Sequence, residues 1–216
     1  MRVGILGSGD VGRALGRGFA AKRDDEVMIG SRSPEKLEDW SAEVGENAVT
    51  GSFEEAASHA ELAVLATGWS GTEAAIGLAG AANLAGKVVI DVTNPLDFPE
   101  EGPPRLALGH TDSGGEQVQR WLPESRVVKA FNIVGNPYMV DPDLPDGPPT
   151  MFIAGNDPGA KDTVTGVLED FGWPDVSDLG GIEMSRYLEP LAMVWIVHGF
   201  EAGSWDHALR LLRGRS

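Results

Sequence analysis

The sequence predicts an α/β fold of the Rossmann type: a doubly wound parallel sheet with a small C-terminal helical extension. Three observations predict it. The apolar run Arg2-Val-Gly-Ile-Leu6 leads directly into Gly7-Ser-Gly-Asp-Val-Gly12, the spacing at which a strand turns into a helix around a pyrophosphate. Short Val/Ile/Leu-rich runs then alternate with amphipathic segments as far as Phe131, the pattern of parallel strands joined by crossover helices. The composition is that of a globular chain, with 42% apolar and 23% charged residues.

The elements follow in order. Residues 2–6 form the first strand, and Val11 to Ala21 is a helix with Val11, Leu15 and Phe19 on one face. Glu26-Val-Met-Ile29 is the second strand, Pro34 to Glu43 a helix, Ala48-Val-Thr50 the third strand and Glu54 to Ala60 a helix. Glu61 to Ala66 reads as a buried strand, Gly71 to Ala82 as a glycine-weakened helix and Lys87 to Asp91 as the fifth strand. The passage from Pro95 to Pro104 is too rich in proline to be other than loop. Ser113-Gly-Gly-Glu116 has capping-box spacing and opens a helix that stops before Pro123, and Arg126 to Phe131 is the sixth strand. The simplest order for six such strands is 3-2-1-4-5-6.

Beyond Gly135, residues 136–149 read equally as a lid or a solvated connector. A seventh strand is expected at Met151 to Ala154, a helix at Asp157 to Phe171 and an edge strand at Pro174 to Ser177. Gly181 to His198 reads as a long apolar helix interrupted by Pro190, and Ser204 as the cap of a terminal helix reaching Leu212. Met193 and Trp195 read as core or subunit interface. The division expected is a nucleotide-binding Rossmann domain over 1–150 and an extension over 151–216 that completes the sheet edge and the acceptor site.

In the fingerprint, Gly7 permits the turn, Gly9 lets the backbone approach a pyrophosphate, and Gly12 lets the helix pack on the sheet. The phosphates then meet free N–H groups at the helix start, beside Ser8, Asp10 and Val11. An NAD site places a carboxylate after the second strand to bind the ribose 2′-OH. This chain instead offers Ser31, Arg32 and Ser33, with Lys36 one turn on, which suits the 2′-phosphate of NADP. Ser33 and Pro34 have the residue types of an N-cap and first helical position, adding the positive end of a helix. Asp24, Asp25 and Glu26 lie at the wrong end of that strand to read the ribose.

Ligands bind such sheets at the carboxyl ends of the strands. The loops Gly7–Gly12, Gly30–Ser33, Thr67-Gly68-Trp69, Val92–Leu96 with Asn94 and Pro95, and Asn132–Gly135 are therefore expected to line one crevice. No catalytic acid or base stands out. Asn94 and Asn132 are candidates for positioning the nicotinamide carboxamide or an acceptor ring, although each is also a good turn residue. The net charge of −16 argues against nucleic acid and anionic membranes as partners. The chain has no cysteine, and its four histidines are scattered, so neither a disulfide nor a metal centre is expected. Nothing at the N-terminus resembles a secretory signal, and cytoplasmic residence is the expectation.

The fingerprint, Gly30-Ser-Arg32 and the stretch Asp178-Leu-Gly-Gly-Ile-Glu-Met-Ser-Arg-Tyr-Leu-Glu-Pro190 together resemble the NADP oxidoreductases dependent on the deazaflavin coenzyme F420, over nearly the whole chain. The resemblance implies Ser8, Gly9, Asp10 and Val11 at the pyrophosphate, and Ser31, Arg32 and Lys36 at the 2′-phosphate. It further implies Trp69 and Gly135 near the ribose or nicotinamide, with the deazaflavin stacked on the nicotinamide. Where members that use the deazaflavin carry Ser-Pro-Leu after the fifth strand and a His-Thr-Ile-Pro-like run after the sixth, this chain has Asn94-Pro95-Leu96 and Phe131-Asn132-Ile133-Val134. The resemblance implies that those loops face the second substrate. The family is also similar to the NADPH-binding module of membrane ferric reductases, in which a flavin takes the corresponding place. The acceptor thus stays open between a deazaflavin and a flavin, with a nonenzymatic NADP(H) sensor as the alternative and a homodimer through the C-terminal apolar helix as the expected assembly.

Overall fold

The computed structural model describes residues 1–214. Its strands are β1 (Arg2–Leu6), β2 (Glu26–Gly30), β3 (Ala48–Gly51), β4 (Leu62–Leu65), β5 (Val88–Asp91), β6 (Leu96–Asp97), β7 (Arg105–Leu106), β8 (Arg126–Lys129), β9 (Met151–Gly155) and β10 (Val176–Asp178). The helices are α1 (Asp10–Arg23), α2 (Glu38–Val44), α3 (Phe53–His59), α4 (Trp69–Ala79), α5 (Ala81–Leu84), α6 (Gly114–Trp121), α7 (Pro158–Asp170) and α8 (Ser185–Ala202). Eight strands make one sheet in the order β10-β9-β8-β5-β4-β1-β2-β3. Every pairing in it is parallel except β8 with β9, where Val128 lies opposite Gly155. The expected 3-2-1-4-5-6 arrangement is therefore present, extended on one side by an antiparallel strand and an edge strand.

Alternation of side chains sorts the core into two layers. Val3, Ile5, Leu62, Val64 and Ile90 point to one face, where Leu15 and Phe19 of α1, Trp40 of α2 and Val164, Val167 and Leu168 of α7 cover them. Leu6, Ala63, Leu65 and Val89 point to the other, under Ala56, Ile76, Leu84 and Val118. Both faces of the central strands are buried, so these runs are continuously apolar rather than alternating.

Several local expectations are corrected. Residues 34–37 form a 3-10 turn rather than the start of an α-helix, and the Ser33 side chain makes no cap bond. The Ser33 N–H is instead donated to Ser31 Oγ at 3.1 Å. The helix after β4 begins at Trp69 and breaks at Gly80, whose φ is +75°. The proline-rich passage includes the small ribbon of β6 and β7. Ser113 caps α6 by accepting from Glu116 N, but the Glu116 carboxylate receives Ser113 Oγ and Arg186 instead of closing a capping box. The helix α8 runs unbroken past Pro190. The terminal helix expected from Ser204 to Leu212 is absent: this stretch lies extended against the body of the protein. Its polar groups find partners there, with Leu209 O accepting from Thr150 N at 3.0 Å and Leu211 N donating to Thr150 Oγ1 at 3.0 Å. Those bonds outweigh weak local helix propensity.

Candidate active site

The fingerprint loop leaves β1 next to β4, where the winding of the sheet reverses. Gly7 has a φ of +134°, in the region open to glycine, and a side chain on it would collide with the Ala66 carbonyl. Gly12 packs so closely on the Gly7 carbonyl that a Cβ has no room. At Gly9 a Cβ would meet nothing within 4 Å: the backbone there borders open space, which suits a phosphate approaching the N–H groups that begin α1.

Two cavities flank this loop. The first, of about 450 Å³, is lined by Gly7, Ser8 and Gly9, by Ser31, Arg32, Ser33 and Lys36, and by Thr67 and Gly68. Ser8 Oγ and Ser31 Oγ lie 3.2 Å apart as a pair of hydroxyls on its wall. Among the described residues, the side chains of Arg32 and Lys36 make no ion pair or hydrogen bond. Arg17, Lys22, Arg23, Arg105, Arg120, Lys161, Arg186 and Arg213 all hold carboxylates. In a chain of net charge −16, two unpaired cations on one cavity wall make a local anion trap within an unfavourable field.

The second cavity, of about 380 Å³, opens on the other side of Val11. Val92, Leu96, Phe131, Val134, Met139, Trp195, Ile196, Phe200 and Trp205 make it apolar, and Asn94, Asn132, Asn136 and Gly135 are its polar or open points. Phe131, fully buried at the end of β8, has a φ of +62°. A bulky residue in that region stores backbone strain. The two asparagines hold each other: Asn94 Nδ2 donates to Asn132 O at 2.7 Å and Asn132 Nδ2 to Asn94 Oδ1 at 3.0 Å and to Leu188 O at 3.1 Å. Asn132 Oδ1 is buried without a partner, an unpaired acceptor of the kind seldom left in a protein interior.

Not every expected residue lies on a wall. Asp10 is exposed at the first position of α1 and Gly12 is spent on packing. Trp69 stacks on Trp121, with ring centroids 5.6 Å apart, and lines neither cavity. Pro95 is buried beside Trp69 and Gly114. Trp195 lines the second cavity rather than being sealed in the core.

Sequence reading missed a buried charge cluster beneath the second cavity. Lys129 Nζ lies 2.7 Å from Asp91 Oδ2 and 3.0 Å from Glu189 Oε1, and donates an aligned hydrogen bond to Thr93 O at 2.8 Å. The two ion contacts are off the angle of conventional hydrogen bonds, but the charges pair at that range. Asp91 Oδ1 accepts from Thr93 N and Oγ1, fixing the turn that leads to Asn94. Glu189 accepts from Gly114 N and Gly115 N, both at 2.9 Å, at the start of α6. Burial pushes the Lys129 ammonium down, and Asp91 and Glu189 together more than reverse this, so it is held above its ordinary value. The available signal was a lysine inside the apolar run Val127–Phe131 and a glutamate inside an apolar helix.

The glycine turn, the open backbone at Gly9 and the paired cavities at the switch point define a Rossmann-type dinucleotide-binding protein. The N-terminal part, residues 2–95, matches the family described as NADP oxidoreductase, coenzyme F420-dependent. A crystal structure of a candidate F420-dependent NADP reductase from Arthrobacter sp. FB24 superposes with a TM-score of 0.93 at 39% identity, covering 99% of this chain and 100% of that one. The F420-dependent NADP reductase of Methanocaldococcus jannaschii is 29% identical over 207 residues, 91% of either chain. Metalloreductase STEAP3 of Rattus norvegicus is 30% identical over 197 residues, and the match spans 36% of its length. The chain belongs to the family of coenzyme F420-dependent NADP oxidoreductases. Among the described residues, no helix is long and apolar enough to cross a membrane.

Proposed function

We propose that the protein binds NADP(H) across the two cavities and catalyses hydride transfer between its nicotinamide and a planar ring, either the deazaflavin F420 or a flavin. The observation that carries this reading is the pair of unpartnered cations, Arg32 and Lys36, in one cavity beside the fingerprint, with a second, apolar and aromatic-walled cavity lined in part by Val11 of the same loop. The Ser8 and Ser31 hydroxyls and the start of α1 suit the phosphates, and Arg32 and Lys36 suit the extra 2′-phosphate. When bound, NADPH supplies a hydride from nicotinamide C4, and the acceptor ring takes it up with one proton from solvent, leaving NADP⁺ and the reduced ring.

The protein's contribution is to bind, orient and exclude water. Val11, Val92 and Val134 keep water from the ring faces, and the mutually hydrogen-bonded Asn94 and Asn132 fix the polar part of the wall. No side chain has to give or take a proton. The F420-dependent reductase from M. jannaschii supports the deazaflavin. Asn94-Pro95-Leu96 and Phe131-Asn132-Ile133-Val134, the loops beside the second substrate, are what keep a flavin in the reading.

Absorbance at the NADPH band, after mixing the NADPH-loaded protein with F420, FMN or riboflavin, tests it. Oxidation of NADPH that depends on one of these rings is expected, with NADH much slower at equal concentration. Tight NADPH binding without transfer to any of them would replace the enzyme by a nucleotide sensor.

A further inference from the structure

The segment that follows α8 is an extended strap, and it reaches the second cavity. Trp205 forms part of the cavity wall together with Trp195 and Phe200. Its ring lies 5.1 Å from that of Trp195, tilted by 42°, and 5.5 Å from that of Phe200, edge on. Trp205 rests on Gly199 so closely that a Cβ there would come within 2.5 Å of the indole. Anchors fix the strap beyond it. Trp195 Nε1 donates to His207 O and His207 Nε2 meets Trp195 O, both at 2.9 Å. Arg213 holds both carboxylate oxygens of Asp175 at 2.9 Å. The indole is therefore presented at a defined place, yet remains 42% exposed, which leaves area for a ligand to cover.

The chemistry of the lining narrows what that ligand is. No charged side chain lines the cavity, and the chain as a whole is strongly negative. An anionic tail thus finds no counter-ion there, whereas a flat, uncharged ring finds aromatic faces beside neutral asparagine side chains. We infer that the strap is part of the acceptor site: Trp205 is the wall on which the acceptor ring stacks, and the cavity selects an uncharged planar ring without reading an anionic tail. This rests on the hydride-transfer reading above and names a specificity residue within it.

Three probes separate ring from tail: riboflavin and 5-deazariboflavin, which are uncharged, and FMN, which carries a phosphate. Each is titrated into the NADP⁺-loaded protein by fluorescence, for the unchanged chain and for Trp205→Ala and Trp205→Phe, and NADPH is titrated separately. Expected are affinities for riboflavin and FMN within about threefold of each other. Trp205→Ala weakens every bound ring by about tenfold, and Trp205→Phe recovers most of the loss, as stacking strengths imply. The NADPH affinity stays within about twofold, and circular dichroism shows both variants folded, because the strap's other anchors are untouched. Unchanged ring binding in Trp205→Ala would overturn the inference. So would an equal loss for NADPH, or FMN binding more than about tenfold tighter than riboflavin. If NADPH binds but none of the rings does, the inference falls and nucleotide binding stands; if NADPH itself does not bind, it is the proposed function that has failed.

Discussion

Replacing Lys129 by methionine removes the only cation from a buried cluster that otherwise holds two carboxylates. Lys129 and Asp91 are fully buried, and the Glu189 side chain is 2% exposed. In the folded variant Asp91 keeps its bonds from Thr93, and Glu189 keeps the N–H groups of Gly114 and Gly115. Neither carboxylate keeps a counter-charge. Stranding one partner of a buried ion pair costs about 3–5 kcal/mol. For a chain of this length the entropy of melting is roughly 0.45 kcal/mol per degree, so the midpoint should fall by about 7–11 °C. Urea unfolding of both proteins at neutral pH measures this. A loss below about 1 kcal/mol would refute the claim that Lys129 neutralises this cluster.

Further expectations concern the nucleotide and the acid side of the stability profile. Arg32→Ala should weaken NADPH about tenfold, the low end for a charge-assisted contact because Arg32 is exposed. NADH should change by less than about twofold, and equal losses in paired titrations would mean that Arg32 does not read the phosphate. Glu116 joins α6 to α8, and its hydrogen bonds from Arg186 hold its carboxyl below the ordinary range against the opposing effect of burial. Its contribution is therefore complete above the unfolded pKa of about 4.3 and is lost as pH falls through the lower native value. Urea midpoints at a series of acid pH values should decline less steeply in Glu116→Gln; identical slopes would remove Glu116 from the acid transition.

The sheet was legible because its cause is local. Continuous apolar runs such as Leu62–Leu65 and Val88–Asp91 are what two covered faces require, and Gly7 and Gly12 sit where a Cβ would collide with backbone. The adenosine side of the candidate site was legible for the same reason, since Ser8, Ser31, Arg32 and Lys36 sit on two adjacent strand ends. The acceptor side was not. Trp195 and Trp205 meet there only because residues 204–213 fold back as a strap, and Ser204 followed by helically spaced apolar residues offered no sign of this. Lys129, Asp91 and Glu189 come from β8, β5 and α8, so their pairing depends on topology rather than on spacing. Trp69 illustrates the converse: it lies at the carboxyl end of β4, as a ligand-binding residue should, but Trp121 takes its ring.

Recognition of the 2′-phosphate is tested most directly by titrating the unaltered protein with NADPH and NADH in parallel, at about 0.05 M and about 0.5 M salt. NADPH should bind at least about tenfold more tightly at low salt, with the gap narrowing as salt screens Arg32 and Lys36. Equal affinities at low salt, or a gap indifferent to ionic strength, would contradict it.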